Sequence, residues 1–194
     1  MSRLLPVLLV FFSLSAFAQF QVGGSLLDNC SQIDALNQAG NYAEAKEKAQ
    51  LCIQGIEQQL SGEISSYFLE EIGDWTRTNL EQNQAMGITN ISASYEKGSI
   101  TVNVSLTNTG GGGAGLGGLL GGFAQAGLLG GGQQVTVAGI PSSLSPEGTL
   151  MVPLQGGSFL SFESYEFNTA QEAIDGMGDL INDFPVAEIN ATLQ

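Results

Sequence analysis

The chain has 194 residues, 19 acidic and five basic side chains, a formal charge of −14 and no histidine. Such a polyanion repels DNA, RNA and anionic headgroups, so a nucleic-acid role is not expected. Without imidazole, Ser-His-Asp and Cys-His catalysis are excluded, and ordinary zinc sites go with them.

Met1 to Ala18 reads as a secretory signal peptide. Arg3 gives the positive start, Leu4 to Phe17 the apolar run, and Ala16-Phe17-Ala18 the small-x-small cleavage pattern. No cysteine follows the cut, so no lipoprotein anchor is expected. The expected location is periplasmic or secreted. Loss of Arg3 with the leader would make the chain one charge more negative. In an exported chain, the pair Cys30 and Cys52 is expected to form a disulfide.

Leu26, Cys30, Ile33 and Leu36 share one helical face. Gly40-Asn41 breaks that helix. Tyr42, Ala45, Ala49, Cys52, Ile56 and Leu60 mark a second one. The cysteines are nearly equidistant from the turn, so an antiparallel pair sets them face to face. The Gly40-x-Tyr42-x-x-Ala45-x-x-x-Ala49 pattern resembles the middle of a tetratricopeptide repeat. Stacked arrays need about three copies. With one copy, a lone helical hairpin is the preferred reading. A third helix is expected from about Gly62 to Ile72, with Ile64, Tyr67, Phe68 and Ile72 on its apolar side. Trp75, the chain's one tryptophan, is placed at a core edge. Glu70, Glu71 and Asp74 lack the alternating pattern of a calcium loop and read as solvated surface.

From Met86 the period changes from 3.6 to 2. Ile91, Ala93 and Tyr95 alternate with polar residues, Lys97-Gly98 turns the chain, and Ile100, Val102, Val104 and Leu106 alternate strictly. Val135 to Ile140 is expected as a strand closed by Pro141, Thr149 to Leu154 as the next, then a Gly156-Gly157 turn and a strand from Ser158 to Phe167. Thr169 to Glu172 forms a capping box. Ile174, Met177, Ile181 and Phe184 mark the helix that follows, and Pro185 ends or kinks it. The tail from Val186 to Gln194 stays ambiguous. The fold class is therefore α+β: a disulfide-clipped N-terminal helical hairpin, then an antiparallel sheet of about five strands flanked by helices. The expected organisation is 1–18 signal peptide, 19–85 helical region and 86–194 sheet domain.

Gly110 to Gly132 holds 13 glycines, five leucines and no charge. Each glycine costs roughly 1 kcal/mol against alanine inside a helix. Yet Leu116, Leu119, Leu120, Phe123 and Leu128 keep a helical face, the expected apolar contact residues. Three readings stay open: a short helix on the sheet, a membrane-inserting segment, and a mobile lid over a hydrophobic ligand. The first is preferred. Small-x-x-x-small spacing at Gly113, Gly117 and Gly121 suits helix contact in lipid, but basic and aromatic anchors are missing around it. Membrane contact is therefore not favoured.

The run Tyr67-Phe68-Leu69-Glu70-Glu71-Ile72-Gly73-Asp74-Trp75 precedes a β-hairpin, an Ala/Gly/Leu stretch, Val135-Thr136-Val137-Ala138-Gly139, a further hairpin and a final helix. Over about residues 67 to 190 this layout resembles a family of uncharacterised bacterial exported proteins with a PsbP-like α/β/α sandwich. The resemblance implies a non-catalytic accessory or assembly role through protein binding. From the residues themselves, no Asp/Glu pair stands out as a glycosidase would need. No catalytic residue, metal ligand or cofactor is expected. The expected function is an accessory or binding protein of the envelope, touching another envelope protein through Gly110 to Gly132 and the neighbouring sheet edge. The alternative is a carrier of a hydrophobic small molecule or lipid held under that segment.

Overall fold

The computed structural model describes residues 26–85, 88–108 and 132–194. The expected signal peptide lies outside the described residues, as do Leu116, Leu119, Leu120, Phe123 and Leu128 of the glycine-rich segment. The described chain divides into two compact units, one running to Cys52 and one from Ile53 to Gln194. Among the described residues, no helix is long and apolar enough to cross a membrane.

The first unit is the expected hairpin. Helix α1 (Leu26–Gln38) and helix α2 (Tyr42–Ser66) meet at Gly40, which takes a φ of +77° that L side chains disfavour. The Asn41 N–H closes the end of α1 on the Leu36 carbonyl at 2.9 Å. Cys30 and Cys52 are bonded, with Cα atoms 5.1 Å apart. In this unit Ala45 and Cys52 are buried, whereas Cys30, Ile33 and Leu36 are half-buried. So little apolar area leaves the crosslink as the main restraint. A loop of 22 residues contributes about 3 kcal/mol in the chain-entropy account.

The second unit is an eight-stranded antiparallel sheet with helices. Its strands are β1 (Glu71–Ile72), β2 (Trp75–Ala85), β3 (Ile88–Lys97), β4 (Ile100–Asn108), β5 (Gln133–Val137), β6 (Ile140–Leu144), β7 (Leu150–Pro153) and β8 (Phe159–Glu163). Helices α3 (Ala170–Asp183) and α4 (Val186–Thr192) follow. The order across the sheet is β1-β2-β3-β4-β8-β7-β6-β5. Two meanders thus meet where β4 pairs β8, with Val104 opposite Phe162 and Leu106 opposite Leu160.

The expectation of about five strands is corrected to eight among the described residues. There is no helix from Gly62 to Ile72: α2 runs on to Ser66, the chain turns, and Glu71–Ile72 is a strand. Tyr67, Phe68 and Ile72 still reach the core, as their spacing suggested. Val135 to Ile140 is not one strand. Ala138 and Gly139, at φ 49° and 81°, turn it into the β5–β6 hairpin. Pro141 closes nothing. It sits within β6 opposite Thr136, where the inter-strand pattern leaves its missing N–H pointing away from β5. The ambiguous tail is α4, entered through Pro185.

One sheet face is apolar. Ala93, Val104, Phe162, Leu150 and Leu144 form a continuous rung across five strands, ending at Gln133 of β5. The opposite face presents Ser92, Ser105, Ser161, Met151, Ser143 and Gln134 in the next rung. The apolar face packs against Ile64 of α2, Ala173, Met177 and Leu180 of α3, and Val186 and Ile189 of α4, in one core. Phe184, between α3 and α4, meets Phe68, Tyr95 and Phe162 edge-on at 5.3, 6.1 and 5.4 Å. Thr169 caps α3 by accepting from the Glu172 N–H at 3.2 Å. The Glu172 carboxylate accepts from Asn168, one residue before the partner of a standard capping box.

Two outcomes are expected. Replacing both cysteines by serine should speed proteolysis near Gly40 while leaving the sheet unit's urea midpoint unchanged. Equal cleavage rates would contradict the role given to the crosslink. Phe184→Ala should cost about 3–5 kcal/mol in urea unfolding. A loss below about 1 kcal/mol would show that the three ring contacts do not anchor the core.

Candidate functional site

Helix α3 lies over the sheet and approaches β5 at one edge. Met177 and Leu180 are fully buried over the centre, while Ile174 and Ile181 on the flank are half-buried. Between that flank and β5–β6 lies an open apolar groove of about 160 Å³. Val135, Val137 and Leu144 form its sheet side, and Ile174, Met177 and Ile181 its helix side. Gly178 widens it, because a Cβ there would meet open space. Thr136 and Asn182 are its polar members, and neither titrates.

The sheet side of the groove lies in an uncharged part of an acidic chain, while its helix side belongs to α3, which carries Asp175, Asp179 and Asp183. No charged residue occurs in the sequence between Lys97 and Glu147. Strand β5 (Gln133-Gln134-Val135-Thr136-Val137) therefore carries no charge and no proline, the usual devices that blunt a sheet edge. The opposite end is blunted. There β1 has two residues, and Arg77 lies 3.8 Å from Glu70 while donating to the Phe68 carbonyl.

That opposite end also holds the densest charge network. Lys97 Nζ donates to Asp179 Oδ2, lies 3.6 Å from Asp74 and stands 5.8 Å from the centre of the Trp75 ring. Trp75 Nε1 donates to Asp179 Oδ1 at 3.1 Å, which satisfies the one polar atom of a buried indole. Burial pushes the Asp179 carboxyl up, but bonds from Lys97, Trp75 and the Leu180 N–H outweigh it and hold the group below the usual aspartate range. The Asp179 bond holds Lys97 above the usual lysine range. Tyr95 is pushed up to about 12 by burial, and its hydroxyl donates to the Leu69 carbonyl at 3.1 Å. These groups pin β1–β3 to α3. Glu70 and Asp74 of the acidic run face Arg77 and Lys97. Among the described residues, no three metal-ligating side chains come together.

The structure bonds Cys30 to Cys52, as their spacing predicts. The groove has no local sequence pattern, because Val135, Leu144 and Ile174 come from three separate elements. The absence of charge between Lys97 and Glu147 was the available signal. Comparison with family models, with curated proteins and with solved structures returned no match.

Asp179→Asn tests the charge network. A depressed carboxyl contributes stability above its unfolded value near 3.8, and that contribution is lost as pH falls through the folded value. Because solvent screens the pair, the variant should lose less than about 1 kcal/mol at pH 6. The gap in urea midpoint should narrow as pH falls below about 3.8. A gap that stays constant with pH would contradict this.

Proposed function

We propose that the protein is a non-catalytic accessory or binding protein of the cell envelope, working outside the cytoplasm and touching its partner through the β5 edge and the adjoining groove. The observation that carries this reading is the uncharged, unblunted strand beside an open apolar groove in a chain of charge −14. Exposed strand edges recruit extended segments through backbone bonds, with alternate side chains seated in flanking pockets. A groove lined by valine, leucine, isoleucine and methionine, with Thr136 and Asn182 as its polar members, offers grip and no acid or base. Its size argues for contact over carriage. A volume of about 160 Å³ falls below the roughly 300–1,000 Å³ of sites that enclose small molecules.

A photoreactive residue at Gln134, in cells that export the chain, should give a discrete protein adduct. Gly178→Leu, whose Cβ meets open space and whose side chain extends into the groove, should weaken that adduct several-fold while raising thermal stability slightly. Adducts to lipid alone, or none above those from exposed Glu188, would overturn the reading.

A further inference from the structure

Among the described residues, β5 has one neighbour, β6. The two-residue turn at Ala138-Gly139, with both φ values positive, is the type I′ hairpin turn. That turn fixes which backbone groups face inward. Val137 and Val135 bond across to Ile140 and Ser142. The N–H and C=O groups of Gln134 and Thr136 then point away from β6, along an edge with no other neighbour among the described residues.

We propose that this edge is a homodimer interface, in which β5 pairs antiparallel with β5 of a second copy about a two-fold axis through Val135. The inference rests on the reading that this edge is the contact surface, and it names the occupant. Charge favours a second copy meeting here. Two chains of −14 repel wherever acids oppose acids, and this strip opposes none. The register is self-complementary, as an isologous interface requires. A two-fold through Val135 sets Gln134 against Thr136 of the other copy, so their outward N–H and C=O groups bond reciprocally. On the polar face a glutamine then meets a threonine. On the apolar face Val135 meets its own mate at the mouth of the groove. The same axis brings both α3 helices to one face of the joined sheet, so the two grooves open onto a shared seam lined by Ile174 and Ile181. A five-residue edge with one helix flank is a small contact, so a weak, reversible dimer is expected.

The test is sedimentation of the full chain from about 1 to 100 µM, a range that brackets micromolar affinity. The expected result is a reversible monomer–dimer equilibrium. Thr136→Pro removes an outward donor and puts its ring in the seam while leaving the β5–β6 bonds in place. It should weaken the dimer at least tenfold with little change in melting temperature, whereas Thr136→Val should leave the dimer unchanged. Val135→Cys should form a disulfide-linked dimer, and Gln133→Cys, which lies opposite Val137, should not. A monomer throughout the range with no linkage through Val135→Cys overturns the proposal. If that monomer still gives a Gln134 adduct to another protein, lost in Thr136→Pro, the dimer is wrong and the edge remains the contact surface. A dimer indifferent to Thr136→Pro and not linked through Val135→Cys forms elsewhere and overturns the proposal, and the Gln134 adduct then decides separately whether the edge is the contact surface.

Discussion

The sheet unit depends on burying one face of an eight-stranded antiparallel sheet under fewer helices than its width demands. The apolar rung from Ala93 to Leu144 crosses five strands, and α3, α4 and the end of α2 cover it from one side. Phe184 fixes where those helices sit, because its ring is held edge-on by Phe68 of the turn after α2, Tyr95 of β3 and Phe162 of β8. The Trp75–Asp179–Lys97 network ties α3 to the β2–β3 end of the sheet. At the other end α3 also approaches β5, and the groove opens between its Ile174–Ile181 flank and β5–β6.

The two ends of the sheet carry opposite chemistry. At the β1–β2 end, a two-residue strand, Arg77 and Glu70 discourage pairing with another chain. Among the described residues those devices are missing at the β5 end, and the outward backbone groups of Gln134 and Thr136 keep their bonding capacity. A chain with 19 acids has ample means to place one on β5. That it does not is the physical ground for treating the edge as a surface of contact.

Much of this was legible in the sequence where burial is one-sided. Strict alternation from Ile100 to Thr107 marks β4, because one face meets the core and the other meets solvent. The equal spacing of Cys30 and Cys52 about Gly40-Asn41 marks their bond. Strand β2 escaped because it is polar on both faces. Its inward Gln82 and Gln84 bond to Ser61, Ser65 and Glu57 of α2 instead of joining an apolar core. The Gly62–Ile72 stretch has helical spacing, yet Tyr67, Phe68 and Ile72 reach the core from a turn and a strand. The β5–β6 hairpin escaped because Ala138 occupies a left-handed position where glycine or asparagine usually gives the turn away, and because proline in a strand reads as a stop. A groove shared by α3, β5 and β6 is tertiary and has no local signal.

Amide exchange along β5 tests the central claim most directly. In a dilute sample, where copies are apart, the account predicts alternation: fast exchange at Gln134 and Thr136, whose N–H groups face the open edge, and slow exchange at Val135 and Val137, which bond to β6. Uniform slow exchange across all four amides would mean that the edge is already covered within a single chain, and the account of β5 as a contact surface would fail.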